Sequence, residues 1–306
     1  MGTSYNIKLV DVGSEDDTRD LARTIDGILD MVNQRMSTYL PESELSRFNA
    51  ADMATWTPVS DDTMTVVERS RRLHHITGGA FDPTVGPIVD LWGFGPKGGQ
   101  ERIPRPDEIE AAVQTVGLDQ VESASEQPAL LKTTQGVRLD LSGVAKGFAV
   151  DLVAEHLDSQ GIVNYLVEVG GELRARGTGP GGRPWRVGIE KPTLGSNKIQ
   201  QVVDLGREAM ATSGDYRIFF EQDGRQYAHI IDPGTGRPTE HGLASATVVA
   251  PTTLEADALS TALLVVGLED GLELASELEI AAFFVARHNG TFKTASSPAF
   301  RSRAEG

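Results

Sequence analysis

Residues 139 to 151, Leu-Asp-Leu-Ser-Gly-Val-Ala-Lys-Gly-Phe-Ala-Val-Asp, constrain the fold of this chain more than any other stretch. An apolar strand pattern over 136–141 runs into a Ser/Gly turn and then into a helix carrying Val144, Phe148, Val150 and Val153. Such a junction points backbone N–H groups and the positive end of the helix dipole outward, so it can hold an anion. Lys146, in the first helical turn, adds a full positive charge, and phosphate is the natural guest. The Walker A spacing is absent, because Gly147 follows Lys146 where a hydroxyl would be needed to hold magnesium. An ordinary helix start with one solvated lysine fits the same residues.

With 306 residues and 39% hydrophobic content, the chain can bury a substantial core as one large domain or two intimate ones. A net charge of −16 argues against nucleic acid and against an anionic membrane surface. A phosphate ligand must then be held by local dipoles, one or two lysines, or a divalent cation recruited by carboxylates. The chain has no cysteine, which excludes disulfides and thiolate chemistry and leaves zinc without soft ligands; hard cations remain open. The first residues lack the basic segment and apolar run of a signal peptide, and Asn6 stands where a myristoylation motif wants Ser or Thr. No run approaches the roughly 18 apolar residues of a membrane span, so a soluble chain is expected.

In chain order, 3–10 alternates like a strand and 16–36 reads as an amphipathic helix, with Leu21, Ile25, Ile28, Leu29 and Val32 on one side. Residues 36–49 suggest an ordered loop with a short helical turn; its Tyr39 is either a packed ring or a stacking platform for a planar ligand. A helix over 61–77 ends at Gly78 and Gly79. Residues 79–95 thread two prolines and four glycines through large apolar groups and read as a fixed wall too broken for regular structure. A further helix is expected over 106–116, with strands over 164–169, 185–190, 200–205 and 209–213. Residues 211–217 and then 227–238 alternate strand with turn chemistry; helices over 253–266 and on to 278, and a hairpin turning at Asn289 and Gly290, complete the chain. Strands and helices mix without a βαβ rhythm, which favours α+β over a doubly wound sheet.

Two further elements carry chemistry. Asp257 and Thr261 lie four apart on the late helix and share a face, so a carboxylate and a hydroxyl form a partial magnesium shell that substrate would complete. A solvated first-turn Asp beside a core-facing Thr is the plainer alternative. His229 is expected on an apolar strand with Ala228, Ile230 and Ile231; a strand histidine is usually structural, yet its pKa suits proton transfer at neutral pH.

The order of the motifs is specific. Met-Gly-Thr-x-Tyr at 1–5, Met-Ser-Thr-Tyr-x-Pro-x-Ser-Glu-Leu-Ser-Arg-Phe-Asn at 36–49, and Gly-Ala-Phe-Asp-Pro-Thr-Val-Gly-Pro at 79–87 come first. Asp-Leu-Ser-Gly-Val-Ala-Lys-Gly-Phe-Ala-Val-Asp at 140–151, Thr-Ser-Gly-Asp-Tyr-Arg at 212–217, His-Ile-Ile-Asp-Pro at 229–233 and Ala-Asp-Ala-Leu-Ser-Thr at 256–261 follow. Together they closely resemble the FAD:protein FMN transferase (ApbE) family across nearly the whole chain.

The resemblance implies an α+β fold of mixed or antiparallel sheets flanked by helices, an ApbE-like roll with FAD bound in a cleft. It spans 1–306 as one domain, or as two interwoven lobes. The implied activity uses FAD as substrate, with Mg2+, and moves FMN through a phosphoester bond onto a Thr or Ser hydroxyl in the flavinylation motif of an acceptor flavoprotein, releasing AMP. Carried over by position, Met1, Tyr39, Ala80, Phe81, Asp82, Asp140, Lys146 and Ile231 are FAD contacts. Asp257, Thr261 and the Gly143 carbonyl are magnesium ligands, with Asp257 and His229 in catalytic positions. Ser142 stands where the family often has a second Gly. Family members are often exported, so the periplasm or the outer face of the cytoplasmic membrane is the implied location, with this sequence a trimmed form; a cytoplasmic location is the alternative. An FAD pyrophosphatase, or a flavin carrier without turnover, are the competing readings of the same residues.

Overall fold

Gly170 with Gly171, and Asn289 with Gly290, each close a two-residue hairpin in which both turn residues have positive φ (64° and 105°; 48° and 72°). Turns of this hand match the twist of the strands they join. The computed structural model describes residues 2–10, 15–96, 102–193, 195 and 198–304. By packing, the chain falls into two units: Met1–Val32, Val144–Gly214 and Gly242–Gly306 form the first, Asn33–Gly143 and Asp215–His241 the second.

Both hairpins belong to the seven-stranded antiparallel sheet of the first unit. Across it run Tyr5–Leu9, Tyr165–Val169, Glu172–Arg176, Ala209–Gly214, Leu243–Ala250, Ala281–His288 and Thr291–Ser296. Side chains alternate across this sheet with period two. Tyr165, Val167 and Val169 pack with Ile25, Val150, Val153 and Leu157, so helix Ala145–Ser159 and the early turns of helix Glu15–Met36 cover one face. Leu166 and Leu173 point the other way and join Trp185, Val203, Leu205 and Phe300. There the hairpin Trp185–Glu190 with Ile199–Leu205, and the closing helix Pro298–Ala304, form the second cover.

Strand Leu243–Ala250 is buried at all of its positions. Helix Thr253–Val266 packs on it, while its Val249 belongs to the opposite cluster. With both faces covered, the polar alternation of a half-solvated strand disappears.

In the second unit, helices Glu44–Ala50, Asp61–Ile76, Gly86–Leu91 and Pro106–Val113 accompany a small sheet ordered Thr57–Pro58, Ala129–Lys132, Val121–Ala124. Two short hairpins, Phe219–Gln222 with Arg225–Ala228 and Ile231–Asp232 with Arg237–Pro238, complete it. Its core gathers Ile88, Trp92, Ile109, Phe220, Tyr227 and Ile231. The Phe220 and Tyr227 rings stack with centroids 5.2 Å apart, and Trp92 lies 5.7 Å from Tyr227 while its Nε1 donates to the Gly236 carbonyl at 2.9 Å.

Two expectations need correction here. The glycine- and proline-rich wall over 79–95 contains a helix, Gly86–Leu91, because its proline falls at the helix start, where no N–H is required. The apolar pattern over 136–141 does alternate, with Val137, Leu139 and Leu141 buried, yet it is not a strand. Its backbone groups go to a side chain and a loop instead of a ladder: Leu139 N donates to Asn49 Oδ1, Leu139 O accepts from Asn49 Nδ2, and Asp140 N donates to Pro83 O. One amide side chain thus does the work of a neighbouring strand.

Gly147 marks a close approach of two helices within the first unit. A Cβ there would lie 2.5 Å from the Thr253 carbonyl oxygen and 2.8 Å from the Leu254 Cα, both backbone atoms that cannot swing aside. Gly147→Ala should therefore lower stability by about 1–3 kcal/mol, the usual scale of overpacking, despite the roughly 1 kcal/mol of helix propensity that alanine adds. The denaturant midpoint reads the outcome, and an increase would contradict the packing described.

Candidate functional site

Helix Ala145–Ser159 begins without a side-chain cap, so its first-turn N–H groups need other acceptors. The Gly147 N–H donates to Asp257 Oδ2 at 3.1 Å. The anion held at this helix start is therefore the protein's own carboxylate, carried on helix Thr253–Val266 and 3% exposed. Lys146, one residue earlier, places its Nζ 3.5 Å from Asp257 Oδ1 and 3.4 Å from Glu172 Oε1. A buried carboxylate is tolerable only when paired and hydrogen-bonded, and Asp257 has both kinds of partner.

The charges tune one another. Burial alone would lower the pKa of the Lys146 ammonium, but the Asp257 and Glu172 carboxylates outweigh it and hold it at about 12. Burial, reinforced by the Asp257 charge, pushes the Glu172 carboxyl up to about 8 against the pull of Lys146. Burial also raises Asp257, opposed by Lys146 and the Gly147 N–H. One turn beyond Asp257, the Thr261 hydroxyl donates to the Asp257 carbonyl at 3.1 Å and pairs with Ser213 Oγ at 3.0 Å; Ser213 also meets Ser260 Oγ at 2.9 Å.

Glu172 is a member of this cluster that the motifs did not point to. It is 4% exposed, and its Oε2 has no hydrogen-bond partner among the described residues. The available signal was an acidic residue placed directly after a Gly-Gly hairpin turn, at the start of a strand otherwise rich in buried positions.

The second unit holds most of the remaining candidates. Asp82 is buried; its Oδ1 accepts from Thr84 N at 2.8 Å and Thr84 Oγ1 at 2.5 Å, and Oδ2 lies 3.4 Å from His74 Nδ1. Burial raises its pKa against these hydrogen bonds. Phe81 is buried, and its N–H donates to Thr77 Oγ1 at 3.2 Å; Ala80 sits half-buried just before it. Asp140 Oδ1 accepts from Ser142 N at 2.9 Å and from the Ser142 hydroxyl, shaping the turn that ends at Gly143. Ser142, the departure from the family's glycine, thus has a defined structural use.

Tyr39 is 69% exposed, so it is not the packed ring that was one of its two readings. Ile231 is buried in the second unit's core. His229 lies in the bend between two short strands, and its Nδ1 is 3.1 Å from the Ile218 carbonyl. A carbonyl only accepts, so Nδ1 carries the proton and Nε2 is the basic nitrogen of the neutral ring. The Phe94 ring meets the imidazole edge-on at 6.4 Å. Met1 lies outside the described residues. The structure thus brings Lys146 and Asp257 together with Thr261 one turn away, and gathers Ala80, Phe81 and Asp82 into one run.

The Glu172 carboxyl generates a prediction in metal-free buffer. A carboxyl whose folded pKa lies above its unfolded value of 4.5 contributes fully below that value, and the contribution is lost as pH rises towards about 8. The wild type should therefore lose stability relative to Glu172→Gln across that window, by up to about 1.4 kcal/mol per pH unit, and the difference should level off above it. Denaturant unfolding at both ends of the window checks this; a constant difference would mean that Glu172 titrates normally.

The model of the ApbE family matches residues 1–284. The FAD:protein FMN transferase of Haemophilus influenzae is 44% identical over 310 residues, which span 100% of this chain and 90% of that protein. Among solved structures, the flavin transferase ApbE from Vibrio cholerae matches with a TM-score of 0.90 at 42% identity, covering 99% of this chain and 96% of that one. The apo form of the Pseudomonas stutzeri flavinyl transferase ApbE gives 0.91 at 41% identity, with 99% and 93% covered. Likeness of this extent, in sequence and in fold along the whole length, means that the chain belongs to the ApbE family.

Proposed function

We propose that this enzyme cleaves FAD at its pyrophosphate and transfers the FMN half to a Thr or Ser hydroxyl of a partner flavoprotein, forming a phosphoester and releasing AMP. The observation that carries this reading is the 44% identity, over the full chain, to a relative named FAD:protein FMN transferase. The cluster of half-buried Lys146 with buried Asp257 and Glu172 supports it, because an ammonium and a carboxylate able to bind a metal together suit a reaction in which charge builds on phosphate oxygens.

A hard cation fits the donors present. Asp257 offers a buried carboxylate, Thr261 a hydroxyl oxygen, and Glu172 a buried oxygen without a hydrogen-bond partner among the described residues. No group of three or more His, Cys, Asp or Glu side chains suited to a metal occurs among the described residues, so backbone and substrate oxygens would complete a shell. Asp257, Thr261 and the Gly143 carbonyl would hold magnesium, which when bound supplies charge neutralisation at the pyrophosphate.

Lys146 contributes a fixed positive charge of its own, and its raised pKa keeps it protonated throughout the neutral range. In the transfer, the acceptor hydroxyl oxygen bonds to the phosphorus of the FMN half, the bond from that phosphorus to the AMP oxygen breaks, and the hydroxyl proton passes to His229 Nε2. The Ile218 carbonyl holds the ring in the tautomer this requires. Tyr39, Ala80, Phe81, Asp82, Asp140, Lys146 and Ile231 are the proposed FAD contacts, on the strength of the family resemblance. An extracytoplasmic location is proposed on the same ground; no helix among the described residues is long and apolar enough to cross a membrane.

Incubation with FAD, magnesium and an acceptor domain tests the reading by intact mass. The acceptor should gain one FMN while AMP appears in equal amount; free FMN and AMP beside an unmodified acceptor would mark a pyrophosphatase instead. In the same assay His229→Ala should keep FAD binding and lose transfer by about 100-fold. Failure of that variant to bind FAD would make His229 a ligand-binding residue and not a base.

A further inference from the structure

The two helices that carry the cluster clasp each other reciprocally. Gly147 N of helix Ala145–Ser159 donates to Asp257 of helix Thr253–Val266. In the opposite direction, Thr253 N donates to Asp151 Oδ1 at 2.9 Å and Leu254 N to Asp151 Oδ2 at 3.0 Å. The spacing is the same on both sides: Asp151 follows Gly147 by four residues, and Asp257 follows Thr253 by four. Each carboxylate therefore sits one turn along its own helix and receives first-turn amides of the other.

Each carboxylate also has its own cation. Lys146 lies against Asp257, and Arg174 Nη1 lies 2.6 Å from Asp151 Oδ1. Arg174 and Glu172 are two apart on strand Glu172–Arg176, so one face of that strand serves both halves of the clasp. Asp151 is buried mid-helix, where an apolar side chain would satisfy packing alone. What an apolar residue would not supply is two acceptors aimed at the start of the neighbouring helix.

We infer that Asp151 is a positioning residue for the reaction: by fixing the first turn of helix Thr253–Val266 on helix Ala145–Ser159, it sets Asp257 against Lys146 and so places the carboxylate that binds the metal. The inference rests on the proposed role of Asp257. Asp151 is not among the proposed FAD contacts or magnesium ligands, and it acts through the helix whose start it holds.

The test needs a control that separates position from stability, and Thr252 supplies it. Its Oγ1 accepts from Glu255 N at 3.3 Å, capping the same helix without any part in the clasp. Asp151→Asn keeps size and shape but puts an amide donor where the Leu254 N–H needs an acceptor, and removes the charge facing Arg174. Both Asp151→Asn and Thr252→Ala should melt below the wild type. Only Asp151→Asn should raise the magnesium concentration needed for half-maximal thermal shift and lower kcat at saturating magnesium, each by about 10-fold or more, the usual effect of losing an outer-shell partner. Its KM for FAD should stay close to that of the wild type.

Equal losses in the two variants would reduce Asp151 to a stabilising cap, and wild-type values in Asp151→Asn would overturn the inference outright. If Asp151→Asn does not fold, Arg174→Lys loosens the same clasp and should raise the magnesium requirement; an unchanged requirement counts against the inference. The magnesium-dependent melting shift is read without FAD. A wild type that transfers no FMN would therefore sink the functional reading, while the shift would still report on Asp151.

Discussion

The buried carboxylate of Asp257 is the interaction on which the first unit's arrangement turns. A carboxylate so enclosed is stable as an anion only if hydrogen bonds and a cation replace its lost hydration. Here they come from the Gly147 N–H and the Lys146 ammonium. Both donors occupy the first turn of helix Ala145–Ser159, so satisfying one charge dictates where two helices meet. Gly147 must then lack a side chain, because the Thr253 backbone passes within 2.5 Å of where a Cβ would stand.

The same requirement links fold to chemistry. Lys146 is shared between two carboxylates and cannot neutralise both, and burial, reinforced by the Asp257 charge, raises the pKa of Glu172. A site with more carboxylate than ammonium favours a further cation, which supports the magnesium site proposed for this ApbE-family enzyme. The hydroxyl chain of Ser213, Ser260 and Thr261 then fixes a neutral oxygen one turn from the charge.

Much of this was legible in the sequence. Period-two patterns gave strands close to Tyr165–Val169 and Trp185–Glu190, and the Asn-Gly pair at 289 and 290 gave the closing hairpin, because local turn chemistry decides those elements. Lys146 stands out as a charge in the first turn after a Ser/Gly junction, and Asp257 by sharing a helix face with Thr261. Strand Leu243–Ala250 was passed over because its small residues, covered on both sides, carry no alternation. Residues 136–141 were misread as a strand because alternation reports an extended, one-sided backbone and not the partner that completes it; the partner is the Asn49 side chain, 90 residues away. Glu172 and Asp151 acquire their roles only through tertiary contacts with distant helices, which no local pattern records.

The coupling between Lys146 and Asp257 tests the account most directly. A double-mutant cycle of Lys146→Met and Asp257→Asn, read as unfolding free energy in metal-free buffer, isolates their interaction from the separate effects of each change. The account predicts a favourable coupling of about 1 kcal/mol or more, the range for contacting charged partners. Additive losses, with a coupling near zero, would mean that the ammonium does not hold this carboxylate and that the two helices meet for some other reason.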